Sequence, residues 1–369
     1  MTSQKKIGVW PTTDDGKRVI TQSMVSSFVN CPREVYYSSV LGLRTRLTSM
    51  PLTRGTWLHA LLEERANGGN WRAKHRELAE EARLNQFDEE AEDLAIQCYD
   101  IMSSYAWVYK NDGLEPIKAE LTVERPMFRG EALYRGRIDL IVRDAEGDIW
   151  LMDHKTHRVL PDWRYRELAF QNYSYLWACE KAPQYLELGI PQPKGFIYDY
   201  CRTSAIKRPT LLKSGNLSRA FHTDQTTYPV FRQALLDLGL ATIVRGRFLL
   251  AVRDSTEREY IKKFMLELKT QDYTKLFRRD VMQFDKEQSL RQIKSFTQSA
   301  KRLLQYDWLD PDKVERNLNA CSGFMCNFKD LTVSDLMHGD STLEQKTRYV
   351  RTHDPLDYYP NQKKGGEAK

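Results

Sequence analysis

The sequence predicts an α/β protein with a mixed sheet at its centre and mainly helical elaborations on either side. Three observations predict this class. Residues 23–110 carry helical periodicity, and after Asn111-Asp-Gly113 the pattern changes to three strand-like runs at 117–127, 132–143 and 148–154. A helix-like stretch at 163–180 and an apolar run at 194–202 then follow. A helix between two strands is the connection a parallel pair needs.

The elements are expected in the following order. Residues 1–22 read as a flexible arm, and serines from Ser23 onward precede a short helix. Pro32 can start a second helix through Val40, which Gly42 ends. A third helix runs from Thr56 to about Ala66, stopped by Gly68-Gly69, and a longer helical region spans Trp71 to Tyr109. Asp144-Ala-Glu-Gly147 is the turn between the second and third strands. The central unit is thus 111–202, behind a helical segment at 23–110. Residues 203–228 form a basic loop, and 229–310 read as mainly helical within a C-terminal region extending to 352. The tail 353–369 reads as poorly ordered.

Bulk composition sets outer bounds. With 369 residues, 41% of them hydrophobic, the chain can bury a large core. Lys and Arg number 56 against 50 acidic residues, a balance compatible with nucleic acid without requiring it. Six cysteines are too few for a disulfide scaffold, so reduced thiols are expected. Neither a signal-peptide core nor a membrane-length apolar run is visible. The expected setting is cytoplasmic, in a bacterial or phage-infected cell. Walker A and dinucleotide glycine patterns are also missing, which leaves little support for a motor or hydride-transfer domain.

The chemistry concentrates between Asp139 and Lys155. Asp153 lies across the turn from Asp139, and Asp153 and Lys155 share one strand face because side chains repeat every two residues. Two carboxylates can bind Mg²⁺ or Mn²⁺, and a lysine beside them can orient water or stabilise phosphate charge. Pair spacing alone favours a solvated strand with an Asp/Lys pair. Further groups shift that balance. His59 offers a neutral nitrogen that suits Mn²⁺, while Gln171 and Tyr175, four apart, share one helix face from which they could contact a phosphate or base.

Four passages, RGTWLHALLEE at 54–64, YRGRIDLIV at 134–142, LMDHKT at 151–156 and QNYSYL at 171–176, occur in this order. Together they make the chain resemble the RecB-like branch of the PD-(D/E)XK nuclease superfamily, especially stand-alone phage-type and CRISPR-associated exonucleases. The resemblance covers roughly Ser23 to Arg202 and resumes from Asn319 to Leu331. It implies a restriction-endonuclease-like core, with His59, Asp139, Asp153 and the carbonyl of His154 as metal ligands. Lys155 corresponds to the catalytic lysine, and Gln171 and Tyr175 to the substrate-engaging helix motif. Glu63 stands where relatives often carry an acidic residue.

Many such relatives hold a [4Fe–4S] cluster on four cysteines. Cys31, Cys321 and Cys326 match three of those positions, but the fourth aligns with Thr332, a poor substitute for a thiolate. Three outcomes are open: buried thiols without metal, an incomplete cluster, or Zn²⁺ with another fourth donor.

Arg137, with Arg129, Arg135, Arg158, Arg164 and Arg166, flanks the proposed site in sequence; Lys207, Arg208, Lys213 and Arg219 populate the later loop. Both sets could meet phosphates, and Trp163, Tyr165 and Tyr173 could stack on unpaired bases. The alternative for all of them is an ordinary charged surface over buried aromatics. The function expected is a metal-dependent DNA exonuclease in recombination, replication or repair, with 5′ to 3′ direction taken from the family. A flap or branch endonuclease and an inactive DNA-binding or assembly subunit are the alternatives. The expected partners are DNA with a free end or single-stranded region and a separate annealing, helicase or single-strand-binding protein.

Overall fold

The computed structural model describes residues 10–46, 50–85, 88–162, 169–204, 206–322 and 326–351. Strand β1 (Arg18–Ile20) leads into helix α1 (Gln22–Asn30), capped by the Thr21 hydroxyl, which accepts from the Met24 amide at 3.2 Å. Pro32 opens α2 (Pro32–Val35) as expected, and a π-helical turn at Tyr36–Val40 follows. Gly42, at φ 67°, then turns the chain into β2 (Leu43–Thr45). Helices α3 (Met50–Ala66), α4 (Trp71–Asn85) and α5 (Asp88–Val108) form one layer.

The central strands come next. They are β3 (Glu115–Met127), β4 (Ala132–Arg143) and β5 (Ile149–His157). Asp144 holds the β4–β5 turn: its carboxylate accepts from the amides of Glu146 and Asp148 and from the Trp150 indole. Helices α6 (Phe170–Cys179) and α7 (Pro183–Leu186) carry the chain to β6 (Gly195–Arg202). Helix α8 (Tyr228–Asp237), the hairpin β7 (Ala241–Val244) and β8 (Arg247–Leu250), and α9 (Ser255–Thr270) follow. Strand β9 (Phe277–Gln283) and helix α10 (Lys286–Gln305) complete the sheet and its covering layer. The chain closes with α11 (Leu318–Ser322), α12 (Lys329–His338), α13 (Thr342–Arg348) and β10 (Tyr349–Arg351).

Among the described residues, six strands form the main sheet in the order β1-β4-β5-β6-β9, with β3 on the other edge of β4. Pairing is mixed: β1 with β4 and β5 with β6 are parallel, the rest antiparallel. One face carries Leu151, Phe196, Tyr198 and Tyr200 in a core with α1, α6 and α10. The other packs against α3, α4 and α5 through Cys201 and Phe277, with Met152 and Ile197 beside them. This is the expected α/β class with helical elaborations. Two parts of the region expected to be helical differ. Strand β9 and the β7–β8 hairpin lie there, because Arg and Asp in β9 mask its alternation and an Arg-Gly turn lacks the usual Asn-Gly signature. Trp163, Arg164, Tyr165, Arg166 and the tail from 353 lie outside the described residues, as does most of the N-terminal arm. None of the described helices is long and apolar enough to cross a membrane.

The two ends of the sequence are tied together beneath the sheet. Arg33 pairs with Asp335 at 2.7 Å, both largely buried, and Tyr37 donates its hydroxyl proton to the same carboxylate. Arg316 approaches it at 3.4 Å, and β10 pairs antiparallel with β2. Asp335→Ala would leave two guanidinium groups facing a vacated site. It is expected to lower stability by about 3 kcal/mol, read as a lowered urea midpoint with an unchanged slope.

Candidate functional site

Strand β4 changes partners along its length. Strand β3 takes one edge throughout, whereas on the other edge β1 pairs with residues 132–134 and β5 with residues 140–143. The sheet forks between them, and Asp139 stands at the fork. Leu140 pairs with Met152, so the next register position sets Asp139 opposite Asp153. On the other edge Ala119 pairs with Leu140 and Leu121 with Ile138, which sets Glu120 opposite Asp139. Three carboxylates therefore occupy facing positions on three adjacent strands.

Helix α3 adds the nitrogen. His59 Nδ1 lies 3.3 Å from Asp139 Oδ2, and that oxygen also accepts from the His154 amide at 2.9 Å. The helix comes close because Gly55 faces Thr156 of β5, where an added Cβ would stand 3.3 Å from the threonine hydroxyl. His59, Glu120 and Asp139 each offer one donor atom, all within 4.8 Å of one another. Among the described residues this is the one group of three or more His, Cys, Asp or Glu with that geometry.

The electrostatics suit cation binding. Burial pulls the His59 pKa down, and Asp139 only partly opposes this. Burial also works against the charge on Asp139, but His59, Lys155 and His154 outweigh it and hold the carboxyl below its usual range. Glu120 is pushed up to about 7 by burial, against the pull of Arg137, whose Nε is 2.8 Å from its Oε2. Its backbone sits at φ 50°, a left-handed conformation uncommon for a non-glycine residue and a form of strain found at functional sites.

Asp153 is held by other partners. Lys155 Nζ is 2.6 Å from its Oδ2, and Gln171 Nε2 donates to its Oδ1 at 2.6 Å. Burial raises its pKa, against the pull of the lysine. Tyr175 is buried at 9% exposure, hydrogen-bonded to Gln171 and pressed on Gly136, where an added Cβ would come within 2.7 Å of the ring. Its contacts are with the site's support. The His154 side chain belongs to the opposite face, where its Nδ1 is 2.8 Å from Asp199 Oδ2. Tyr105 donates to the same oxygen at 2.5 Å and Arg279 to the other at 3.1 Å. Burial opposes the charge on His154, but Asp199 more than compensates and raises its pKa.

Four of the cations expected to meet phosphates are paired within the protein. Arg137 holds Glu120, Arg135 holds Glu124, Arg208 holds Asp100 and Asp237, and Arg219 reaches Glu257. Tyr173 is 3% exposed and so lies inside the core. Glu63 has its pKa raised by burial, but it is not a member of the three-donor group.

The cysteines do not converge as a ligand set. Cys326 Sγ is 3.9 Å from Cys321 Sγ, Cys321 Sγ is 3.9 Å from the Thr332 hydroxyl, and Cys31 Sγ accepts the Asn317 amide at 3.4 Å. Burial pushes the Cys326 thiol up to about 11, with Cys321 adding to the effect. Among the described residues the three sulfurs are not part of any group of three donors within 4.8 Å of one another, and no step is derived through an iron–sulfur cluster or Zn²⁺.

Glu120 and Asp199 are functional candidates that the sequence reading missed. The tight β3–β4 connection carried a signal for the first. Met127 pairs with Ala132, and counting back seven residues on β3 and forward seven on β4 reaches Glu120 and Asp139. Asp199 stands alone in an apolar strand, and its parallel register with His154 left no sequence trace.

No curated protein matches the chain. A solved structure described as "Crystal structure of SSO0001" is 12% identical, covers 84% of this chain and 84% of its own, and gives a TM-score of 0.31. The family model of the PD-(D/E)XK nuclease superfamily matches residues 19–330, a span that includes the forked sheet and every candidate ligand of the site. The chain belongs to the PD-(D/E)XK nuclease superfamily.

Proposed function

We propose that the protein is a metal-dependent DNA exonuclease of the RecB-like branch, acting on ends during recombination, replication or repair, with 5′ to 3′ direction. The observation that carries the hydrolytic reading is the alignment of Glu120, Asp139 and Asp153 on adjacent strands, with His59 against one end and Lys155 against the other. His59, Glu120 and Asp139 would hold Mg²⁺ or Mn²⁺, with Asp153 and the His154 carbonyl as the further ligands of this proposal. When bound, the ion would supply Lewis-acid charge at a phosphodiester oxygen and ease the deprotonation of water.

The chain's own residues have the following roles. Gln171 fixes Asp153, and Tyr175 buttresses Gln171 from the core. Asp153 holds the Lys155 ammonium beside the carboxylates, where it meets the negative charge that develops on phosphate as the bond to the leaving oxygen breaks. Arg137 neutralises Glu120 and is positioned to turn to a phosphate once that carboxylate is otherwise engaged. Asp199 fixes His154, whose amide in turn holds Asp139.

Two outcomes test the reading. Asp139→Ala and Lys155→Ala are each expected to cut Mn²⁺-supported degradation of end-labelled linear DNA by about 100-fold or more, with unfolding midpoints retained. Undiminished cleavage would reject the assignment, and rapid cutting of covalently closed circles would replace exonuclease by the flap or branch endonuclease. The second outcome is proton-coupled metal affinity. The folded pKa of Glu120 lies above that of an unfolded glutamate, so the folded state holds the extra proton between about pH 4.5 and 7. Stability from this group falls as pH rises through that window, and metal must displace the proton. Mn²⁺ affinity measured by calorimetry should weaken by up to tenfold per pH unit below 7 and level off above it. Glu120→Gln should bind more weakly and lose this component. An unchanged pH profile in that variant would remove Glu120 from the ligand set.

A further inference from the structure

Residues 206–270 outside the main sheet build a small lobe of their own. Leu217, Phe231, Leu235, Ala241, Val252, Ile261, Phe264 and Leu268 form its core. The lobe is fixed to α5, for Arg208 grips Asp100 through two nitrogens at 2.7 and 2.8 Å and Ser104 and Thr227 hydroxyls meet at 2.6 Å. The next residue along α5, Tyr105, donates to Asp199 in the network behind His154.

The lobe presents the β7–β8 hairpin outward. Val244 and Leu249 are 47% and 48% exposed on the hairpin face turned away from the lobe's core, whereas Ile243 shares the other face with Ala241, Phe248 and Leu250. The two-residue turn is Arg245-Gly246, both at positive φ, followed by Arg247. An arginine in this conformation meets a steric cost that asparagine or glycine would avoid. From Leu238 to Arg253 there are three arginines and no acidic residue. A second turn of the same lobe, closed by a bridge between Leu211 and Leu217, exposes Lys213 in a run from Pro209 to Thr223 that also lacks acids. Among the described residues, neither Lys213 nor the hairpin arginines form an ion pair, in contrast to the arginines around the active site.

We infer that this hairpin, with the neighbouring Lys213 turn, is a docking surface for the end of a DNA duplex. Its cations take backbone phosphates, and Val244 and Leu249, which share one face of the hairpin with Arg247, press on the exposed face of the last base pair. The inference rests on the DNA reading proposed above and adds where the end is received. The charge decides the occupant: a second copy would bring like-charged arginines against each other, whereas a polyanion is complementary. Aliphatic side chains flanked by arginines are the combination that can cover a base step while holding phosphates on both sides.

The experiment uses the full chain with chelator present, so that binding is read without cleavage. Fluorescence anisotropy is followed on linear duplex, forked duplex and covalently closed circular DNA across a salt series. Arg245→Ala/Arg247→Ala should weaken binding to all three about tenfold and lower the salt slope by about 2. Val244→Ser/Leu249→Ser should weaken linear and forked DNA about fivefold and leave the circle unchanged. An Arg291→Ala/Lys294→Ala control on α10 should do neither. With Mn²⁺, both hairpin variants should raise KM with kcat retained, because the hairpin touches no reacting atom.

Hairpin variants that bind and cleave like the parent, or lose no more than the control, overturn the docking surface alone. A parent that neither binds nor cleaves DNA overturns the functional reading as well. Conversion of a dimer to a monomer by Val244→Ser/Leu249→Ser, with DNA binding intact, would reassign the surface to self-association.

Discussion

Everything at the site depends on β4 giving up one partner before it takes the next. A strand paired along both edges buries its polar backbone in regular ladders and leaves little room between neighbours. Here β1 releases β4 after Tyr134 and β5 engages it only from Leu140. In the gap the carboxylate of Asp139 is reached by the amide of His154 on one strand and the imidazole of His59 on a helix. The same fork removes Asp153 from regular pairing with β4, so Lys155 and Gln171 can hold it from the side of α6. Concentrated negative charge is tolerated because each carboxylate is given a donor or cation of its own, as buried charges require.

The other face of β5 supplies the rigidity. His154, Asp199, Tyr105 and Arg279 come from β5, β6, α5 and β9, and they satisfy one another away from solvent. Such a network fixes the register of the parallel pair β5–β6, where a slip of one residue would carry Asp153 and Lys155 to the wrong layer. The strand's residues thus alternate in duty: Asp153 and Lys155 face the carboxylate cluster, and His154 between them anchors the strand.

Much of this was legible in the sequence, for reasons of distance. The β4–β5 turn is short, so Asp139, Asp153 and Lys155 could be placed from the two-residue period and turn residues. Gln171 and Tyr175 followed from helical spacing, although nothing in the spacing said that Tyr175 would lie beneath Gly136 instead of on the surface. What escaped were relations made by the fold alone. Strand β9 reaches the edge of β6 from some eighty residues away, and its arginine is chosen to meet Asp199 across that gap. The cysteine pattern fixed less: of the outcomes it left open, the structure shows Cys321 beside both Cys326 and the Thr332 hydroxyl, with no three-donor group that includes them among the described residues.

The clamp of Arg33 on Asp335 carries a consequence for how the chain is made. The core under the sheet joins Phe28 and Tyr37 to Phe328, Leu331 and Tyr349, so residues far apart in the chain are neighbours. All three carboxylates precede most of these partners in chain order. The arginine that fixes Asp199, the helix α10 that covers the sheet and the aspartate that meets Arg33 arrive only later. Contacts of such sequence separation close last and slowly. During synthesis the three carboxylates are therefore made before much of the support that sets their geometry, which waits on contacts of long sequence separation.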